Sequence, residues 1–253
     1  MTTTQYTIHT TLQNDYTITV LADLHSKVPK GLLKQVQDAT PDLIVLPGDC
    51  IDGTTADAPD MLPFLASLAK IAPTFYADGN HDLFQDEDIT AVEKTGVVFL
   101  KDQTTQYQEL TIGGLASGFS FGKQGHFAKT PPPNLDYLKA FASEGGFKFL
   151  LCHHPEYYTP YLKDLPIDLV VSGHAHGGQW RFFGRGVFAP GQGIFPRYTA
   201  GLHDNRFVIS RGIGSHTIVP RIFNTPELVI ITLKSKTNKK TLNQRDNHPS
   251  VSF

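Results

Sequence analysis

The chain has 253 residues, 40% of them hydrophobic, and a formal net charge of -2 at pH 7. This length and apolar content suit a single soluble α/β domain with a sizeable core. The near-neutral charge provides no global attraction to nucleic acid or to an anionic membrane, so any affinity for phosphate must be local.

The N-terminal residues 1–15 are polar and Thr-rich, without the basic start and apolar run of an export signal. We therefore expect a cytoplasmic protein with no membrane span. The two cysteines, Cys50 and Cys152, are too few for a disulfide framework, which agrees with a reducing compartment. Both are interpreted as small buried residues rather than metal ligands or a redox switch.

Along the chain, apolar runs, polar clusters and amphipathic segments alternate, which is typical of βαβ units. In the N-terminal half, strands are predicted at residues 17–21, 43–46 and 74–77, and helices at 32–38 and 62–69. Further on, strands are predicted at 97–100, 106–112, 147–152 and 169–171, and helices at 135–143 and 156–163. Residues 119–133, with three consecutive prolines, form a long loop that is either a lid or a plain surface excursion.

The C-terminal third has little helical periodicity, and residues 180–187, 207–210 and 228–233 predict strands of a second sheet. We predict one domain over residues 1–233, of the α/β class. Its expected architecture is a four-layer α/β/β/α sandwich of two mixed sheets flanked by helices. Residues 234–253 are polar without periodicity and are expected to form a mobile tail.

Five short polar clusters each follow an apolar run. They are Asp23 with His25, Asp49 with Asp52, Asn80 with His81, His153 with His154, and His174 with His176. In open α/β sheets, ligands gather outside the carboxyl ends of the strands, so clusters distant in sequence can converge. Carboxylates, imidazoles and an amide oxygen bind divalent ions of intermediate hardness. The clusters together indicate a two-metal hydrolytic centre.

Each of the first clusters also has a plainer interpretation. Asp23 and His25 lie on one side of an extended segment and suit one ion, but a turn-capping Asp beside a surface His fits that pair alone. Asp49 follows Gly48 and suits a bridging position, with an Asx turn as the alternative. Converging carboxylates repel one another unless a cation offsets their charge, which favours the metal.

The remaining clusters supply imidazoles. His81 is the candidate general acid, because imidazole titrates near neutrality and can protonate a leaving oxygen. Asp82 is predicted either to hold that imidazole in a useful tautomer or to be a solvated or capping residue. His153 and His154 point to opposite sides of one strand, so only one is expected to bind metal. His174 and His176, flanked by glycines, form the most specific local pattern.

In order and spacing, these motifs resemble the calcineurin-like metallophosphoesterase superfamily: Asp-x-His, Gly-Asp-x-x-Asp, Gly-Asn-His-Asp, an apolar strand ending in His, and Gly-His-x-His. The similarity spans residues 17–233, and Gly-His-x-His-Gly-Gly-Gln at 173–179 is similar to a bacterial-type branch. The resemblance implies the following roles. One metal ion would be held by Asp23, His25 and His176, the other by Asn80, His153 and His174, with Asp49 bridging them, and His154 would be a pocket residue.

The resemblance implies a phosphohydrolase with two divalent or mixed-valence transition metal ions: Mn, Fe or Zn. It would cleave a phosphodiester, a phosphomonoester or a nucleotide-linked pyrophosphate by in-line attack of a metal-bridging hydroxide. The expected partner is a small-molecule phosphoester, not a nucleic acid. A nuclease of the same superfamily and a catalytically silent metal-stabilised binding module are the alternatives.

Arginines and aromatic residues in the C-terminal third are further candidates for substrate contact. Arg211 is predicted to bind substrate, and it is one of four possible phosphate clamps, with Arg185, Arg197 and Arg221, each of which could equally form a surface ion pair. An aromatic cluster contains Trp180, Phe182 and Phe183. We interpret it as core packing, with stacking on a base or a lipid as the alternative.

Overall fold

Two β-sheets pack face to face in the computed structural model, which describes residues 1–119, 130–214 and 220–236. Helices cover the outer face of each sheet. The predicted four-layer α/β/β/α sandwich of two mixed sheets is confirmed. Within these residues, no helix combines the length and the apolar character needed to cross a bilayer.

The strands of the described residues are, in chain order, β1 (Thr2–Thr10), β2 (Tyr16–Val20), β3 (Leu43–Leu46), β4 (Thr74–Ala77), β5 (Val98–Leu100), β6 (Gln103–Tyr107), β7 (Leu110–Leu115), β8 (Phe147–Cys152), β9 (Leu169–Ser172), β10 (Arg181–Phe182), β11 (Arg185–Gly186), β12 (Phe188–Ala189), β13 (Gly193–Ile194), β14 (Gly201–His203), β15 (Phe207–Ile209) and β16 (Glu227–Ser235). The α-helices are α1 (Leu32–Asp38), α2 (Met61–Ile71), α3 (Asp86–Glu93) and α4 (Leu135–Ser143). Helical turns also occur at Pro155–Tyr157, Tyr158–Leu162 and His176–Gly178.

The first sheet has the strand order β1-β16-β2-β3-β4-β5. Its strands β2 to β5 are parallel neighbours, while β16 runs antiparallel to β2. Strands such as β3 are buried on both faces, which explains their continuous apolar sequences. Because β2, β3 and β4 run the same way, the loops that follow them leave from one edge of the sheet.

The second sheet has the order β14-β15-β9-β8-β7-β6. Four central strands, β15, β9, β8 and β7, are parallel, and the two edge strands are antiparallel to their neighbours. Strands β8 and β9 therefore also deliver their following loops to a common edge.

The core lies in three apolar layers, of which the central one joins the two sheets. Ile18 and Val45 of the first sheet pack there in one cluster with Phe149 and Val171 of the second, and all four side chains are fully buried. Burial of such a side chain contributes about 1.5–3 kcal/mol. Helices α1, α2 and α3 cover the first sheet, and α4 with the turns after β8 covers the second.

Three sequence-based predictions of elements were wrong. Residues 106–112 do not form one strand, because the chain turns at Gln108, in the left-handed region at φ 53°, between β6 and β7. Residues 180–187 form the short hairpin of β10 and β11 instead of a long strand. Residues 156–163 contain short helical turns rather than an α-helix.

The prediction that the strands of the C-terminal third form a second sheet is also wrong. Strand β16 returns to the first sheet, between β1 and β2, and only β14 and β15 of that third join the second sheet. Strand β1 was not predicted, because its alternating Thr-rich sequence lies at the sheet edge with mostly exposed side chains. Two predicted segments are only partly described. In the long loop predicted at 119–133, residues 120–129 lie outside the described residues, and so do residues 237–253 of the tail predicted at 234–253.

Candidate metal centre

Loops from both sheets meet at one site. Asp23 and Asp49 follow β2 and β3, and Asn80 follows β4. From the second sheet, His153 follows β8 and His174 follows β9. Among the described residues, four groups of side chains, one of them Asp23, His25 and His176, place potential ligand atoms within 4.8 Å of one another. The structure therefore brings residues from five separate loops into one buried cluster.

The backbone at this site is unusual. Several of the clustered residues adopt left-handed conformations without being glycine, which is uncommon and costs about 1–3 kcal/mol each. They are Asp23 (φ 52°), His25 (φ 49°), Asp49 (φ 54°), His174 (φ 66°) and His176 (φ 45°). Such strain persists only where the surrounding structure fixes it, and it concentrates at functional sites.

A first cradle of ligand atoms is centred on His153. Its Nε2 lies 3.1 Å from Asp49 Oδ2 and 3.2 Å from Asn80 Oδ1. Its Nδ1 donates to the carbonyl oxygen of Pro47 at 2.8 Å, which directs Nε2 into the site. His174 belongs to the same group of ligand atoms. Donors bound at about 2.1 Å and at right angles around one cation lie about 3 Å apart, so these distances fit a metal.

A second cradle lies between His25 and His176. Their Nε2 atoms are 3.1 Å apart, and Nε2 of His25 is 3.9 Å from Asp49 Oδ2. Nδ1 of His25 is 2.7 Å from Asp52 Oδ1, which fixes the imidazole from behind. Asp23 completes the group, and its buried Oδ2 has no hydrogen-bond partner among the described residues. An unsatisfied buried carboxylate oxygen fits a cation ligand.

Asp49 lies between the two cradles. Its Oδ2 faces both His153 and His25, while its Oδ1 accepts the backbone N–H of His81 at 2.8 Å. Gly79 makes this packing possible, because a Cβ there would lie 2.1 Å from Asp49 Oδ1. The glycine of the Gly-Asn-His-Asp motif is thus required by a close approach to the carboxylate.

The electrostatics reflect a concentration of buried charge. Burial raises the pKa of Asp23, whereas the charge of His153 overcomes burial and holds the pKa of Asp49 well below its usual value. Burial lowers the pKa of His153, but the charge of Asp49 and its hydrogen bond raise it to about 10. Burial lowers the pKa of His174 and of His176 well below the usual value. Neutral imidazoles at those positions are suited to bind metal.

Asp82 is buried and bonds to the backbone of two loops. Its carboxylate accepts the backbone N–H groups of Asp49, Gly79 and Ile51 at 2.7–2.9 Å, and the hydroxyl of Tyr76. These bonds tie the loop after β3 to the loop after β4. The carboxylate found beside the imidazole of His81 is that of Asp52, with Oδ1 3.4 Å from Nδ1.

Arg211 also differs from the prediction. Its guanidinium pairs with Glu227 Oε2 at 2.7 Å and donates to Thr2 Oγ1 at 3.2 Å, so it fixes the strand edge rather than facing the site. The arginine that reaches a candidate ligand is Arg221, whose Nη2 is 3.2 Å from Nδ1 of His176. Sequence reasoning gave no basis for choosing between them, because each is a lone arginine in a loop.

His154 is buried behind the candidate ligands. Its ring centroid is 4.5 Å from that of His174, and its Nδ1 is 3.5 Å from Glu156 Oε1. The same Oε1 is 3.9 Å from His174 Nε2 and accepts a 2.6 Å hydrogen bond from Thr130. Sequence reasoning missed Glu156, although the His-His-Pro-Glu spacing offered a signal. It also missed Asn224, whose Nδ2 donates to the carbonyl oxygen of His176 at 2.7 Å.

Cys50 and Cys152 are both free and buried. Burial raises the pKa of each thiol well above its usual value, so neither is a reactive thiolate at neutral pH. This agrees with their interpretation as small buried residues.

Comparison with known proteins identifies relatives along most of the chain. The family described as calcineurin-like phosphoesterase matches residues 16–178. An uncharacterized metallophosphoesterase of Campylobacter jejuni is 30% identical over 248 residues, covering 89% of this chain and 61% of that protein. The phosphodiesterase YaeI of Escherichia coli is 30% identical over 224 residues, covering 79% of this chain and 76% of that protein.

Among solved structures, the Pseudomonas putida nuclease MPE matches at 13% identity with a TM-score of 0.32. The match covers 79% of this chain and 81% of that chain. A likeness of this degree does not bear on the function. The chain spans less than two thirds of the length of the Campylobacter relative.

Proposed function

This chain belongs to the calcineurin-like phosphoesterase family of metal-dependent phosphoesterases, and on that premise we propose that it hydrolyses a small-molecule phosphoester with two metal ions. Phosphodiesters are the first class to test, since one relative is named a phosphodiesterase. Phosphomonoesters and nucleotide-linked pyrophosphates complete the proposed substrate range.

The observation that carries the proposal is the position of Asp49 between two cradles. Its Oδ2 lies 3.1 Å from His153 Nε2 on one side and 3.9 Å from His25 Nε2 on the other. One ion would be held by Asp23, His25 and His176, the other by Asn80, His153 and His174, with Asp49 shared. These oxygen and nitrogen donors are compatible with Mn, Fe or Zn.

When bound, such an ion pair supplies a nucleophile from water at neutral pH and offsets the charge on the phosphate oxygens. The protein contributes the fixed geometry of the donors. His153 is oriented by the Pro47 carbonyl and His25 by Asp52, so both imidazoles keep their Nε2 lone pairs directed inward. In-line attack on phosphorus then requires an acid on the opposite side to protonate the leaving oxygen.

His81 is the proposed acid. Its side chain is 22% exposed, unlike the buried carboxylate and imidazole candidates, so it can reach a substrate that enters from solvent. Its backbone N–H is fixed by Asp49 Oδ1, and its Nδ1 lies 3.4 Å from Asp52 Oδ1. That carboxylate favours a proton on Nδ1 and leaves Nε2 to exchange a proton with the leaving group.

A cytoplasmic location remains part of the proposal. It is supported by two buried cysteines that carry no disulfide. A single experiment tests the proposed activity: elemental analysis of the purified chain, combined with a screen over aryl phosphodiesters, phosphomonoesters and nucleotide pyrophosphates. We expect about two transition-metal ions per chain and turnover of at least one class. Bound metal without turnover of any class would instead support a catalytically silent module.

A further inference from the structure

An exposed apolar patch adjoins the candidate metal centre. Among the described residues, eight of the twelve exposed large hydrophobic side chains fall between positions 180 and 223. We call this set the aromatic patch. Its members are Trp180, Phe182, Phe183, Phe188, Ile194, Phe195, Ile222 and Phe223. The sequence-based interpretation of Trp180, Phe182 and Phe183 as core is therefore wrong. Large exposed apolar patches mark interaction sites.

Backbone and ring contacts connect the segments that carry the patch. Trp180 and Ile222 are bridge partners, and the rings of Phe182 and Phe223 lie 5.8 Å apart. Phe188 and Ile194 are directly opposite in the hairpin of β12 and β13, so their side chains share a face. The backbone N–H of Val187, which directly precedes this hairpin, donates to the carbonyl of Trp180 at 2.9 Å and so connects the hairpin to the Trp180 segment.

Strain in the backbone indicates that the aromatic tips have a function. Phe183, Phe195 and Phe223 are each at least 79% exposed and adopt left-handed φ angles of 51–53°. A bulky residue in this region is a genuine outlier, and glycine or asparagine would occupy it at lower cost. Three aromatic rings at strained turn positions, directed into solvent, are costly in the isolated protein, which indicates that they contact something else.

The charge around the aromatic patch indicates which kind of partner binds there. No Asp or Glu occurs between residues 169 and 203, while Arg181, Arg185 and Arg197 lie in that segment, the last two exposed. Protruding aromatic and aliphatic tips flanked by arginines match the interface of a bilayer with anionic headgroups. Aromatic rings favour that interface, and the guanidinium groups would contact the lipid phosphates.

The patch is also connected to the proposed ligands. The segment that carries Ile222 and Phe223 begins at Arg221, 3.2 Å from His176, and ends at Asn224, which bonds the His176 carbonyl. Docking of the patch would therefore hold the metal centre close to the lipid surface. No spanning helix is needed for such peripheral binding.

We propose that the aromatic patch docks this protein on an anionic lipid bilayer, so that its substrate is a phosphoester presented at that surface. The substrate part of this inference rests on the proposed function, whereas the docking part does not.

The test is co-sedimentation of the full chain with vesicles of phosphatidylcholine, with and without phosphatidylglycerol. We expect binding to the mixed vesicles that weakens with added salt. The variant Phe183→Asn with Phe195→Asn should lower the partition coefficient by roughly tenfold or more, because two rings no longer insert. The matched control is Val28→Asn with Leu135→Asn, two exposed apolar side chains outside the patch, and it should bind like the parent.

Thermal unfolding separates docking from a packing role. Asparagine accepts the left-handed conformation, so the double variant should unfold at the same temperature as the parent or at a higher one. A lowered unfolding temperature, or vesicle binding equal to the parent's, would overturn the proposal. Failure of the parent protein to bind either vesicle type would also overturn the proposal. This outcome includes a parent whose patch is buried in a dimer that the double variant dissociates.

Hydrolysis of a soluble aryl phosphodiester keeps the two hypotheses apart. The double variant should match the parent on this substrate, since neither ring contacts the proposed ligands. Vesicle binding with no hydrolysis of any of the three proposed phosphoester classes by either protein would refute the proposed function and leave the docking intact. Hydrolysis by both proteins without vesicle binding would refute the docking alone.

Discussion

The two sheets contribute different chemistry to the same site. The loops after β2, β3 and β4 supply what we call the carboxylate half: Asp23, His25, Asp49 and Asn80. The loops after β8 and β9 supply the imidazole half: His153, His174 and His176. Among the proposed ligands, the oxygen donors thus come only from the first sheet, whereas three of the four imidazoles come from the second.

This difference explains why the complete site forms only when the two sheets pack together. The carboxylate half concentrates buried negative charge that needs compensation, while the imidazole half brings donors that add no negative charge. The two halves already interact through direct contacts. The backbone N–H of His174 donates to Asp23 Oδ1 at 2.9 Å, and His153 contacts Asp49. The predictions below test the two halves and the groups that support them.

The largest effect is expected from Asp49→Ala. This carboxylate faces both cradles, so its removal should abolish binding of both ions and reduce hydrolysis by about three orders of magnitude or more. Metal analysis and turnover of an aryl phosphodiester are the measurements. Retention of one tightly bound ion would show that the two cradles do not share Asp49.

The next effect is expected from His81→Ala, which leaves both halves intact. Turnover should decrease by about a hundredfold or more, most strongly for poor leaving groups, while metal content stays at the parental level. The check is a series of aryl phosphodiesters of graded leaving-group pKa. An equal loss across the series would argue against an acid role.

Asp82→Asn tests the framework of the carboxylate half. The amide cannot accept from all of the backbone N–H groups that the carboxylate serves, so at least one buried donor loses its partner. The free energy of unfolding of the metal-free protein should fall by about 3 kcal/mol in urea titrations. The control Asp60→Asn, at an exposed helix start, should stay within about 0.5 kcal/mol. Equal stability of both variants would contradict this role.

Glu156→Gln tests the support behind the imidazole half. Its carboxylate lies 3.9 Å from His174 Nε2, and such outer carboxylates typically contribute about tenfold to metal affinity. We expect one of the two ions to bind about tenfold more weakly while the unfolding temperature of the metal-free protein is unchanged. The exposed Glu144→Gln is the matched control. Equal weakening of both ions would point to a general charge effect.

The last prediction concerns the pH dependence of metal binding. The pKa of His153 is raised to about 10, and hydrogen bonding with Asp52 raises the pKa of His25 despite burial. Metal must displace these protons, so affinity should rise with pH, by about tenfold per pH unit for each proton released. Calorimetric titration in buffers of different ionisation enthalpy measures that release. Affinity independent of pH would contradict it.

Much of the fold could be predicted because its strands are buried on both faces. The bounds of β3, β4, β8, α1 and α4 coincide with the predicted ones, since continuous apolar runs and amphipathic helices leave few alternatives. The errors lie where local pattern is weak. Strand β1 is an edge strand with alternating threonines, and the segment after Gln179 folds into two-residue strands around left-handed turns.

The site, like the fold, has one part that the sequence predicts and one part that it does not. The convergence of five clusters was predictable because parallel strands place their following loops at one edge. The partners of Asp82 and Arg211 were not. A carboxylate after a histidine pairs with the donors that the tertiary structure brings to it, and here these are backbone N–H groups of the loops after β3 and β4.

The sequence by itself determined the donor types, their order and the sheet edge to which they belong, because side-chain chemistry and strand periodicity are local properties. Only the tertiary structure decided which atoms face one another across the two sheets. It also decided that Arg221 rather than Arg211 reaches His176, and that Phe183 and Phe195 lie in solvent. Burial and contact depend on the packing of distant segments, which no local pattern records.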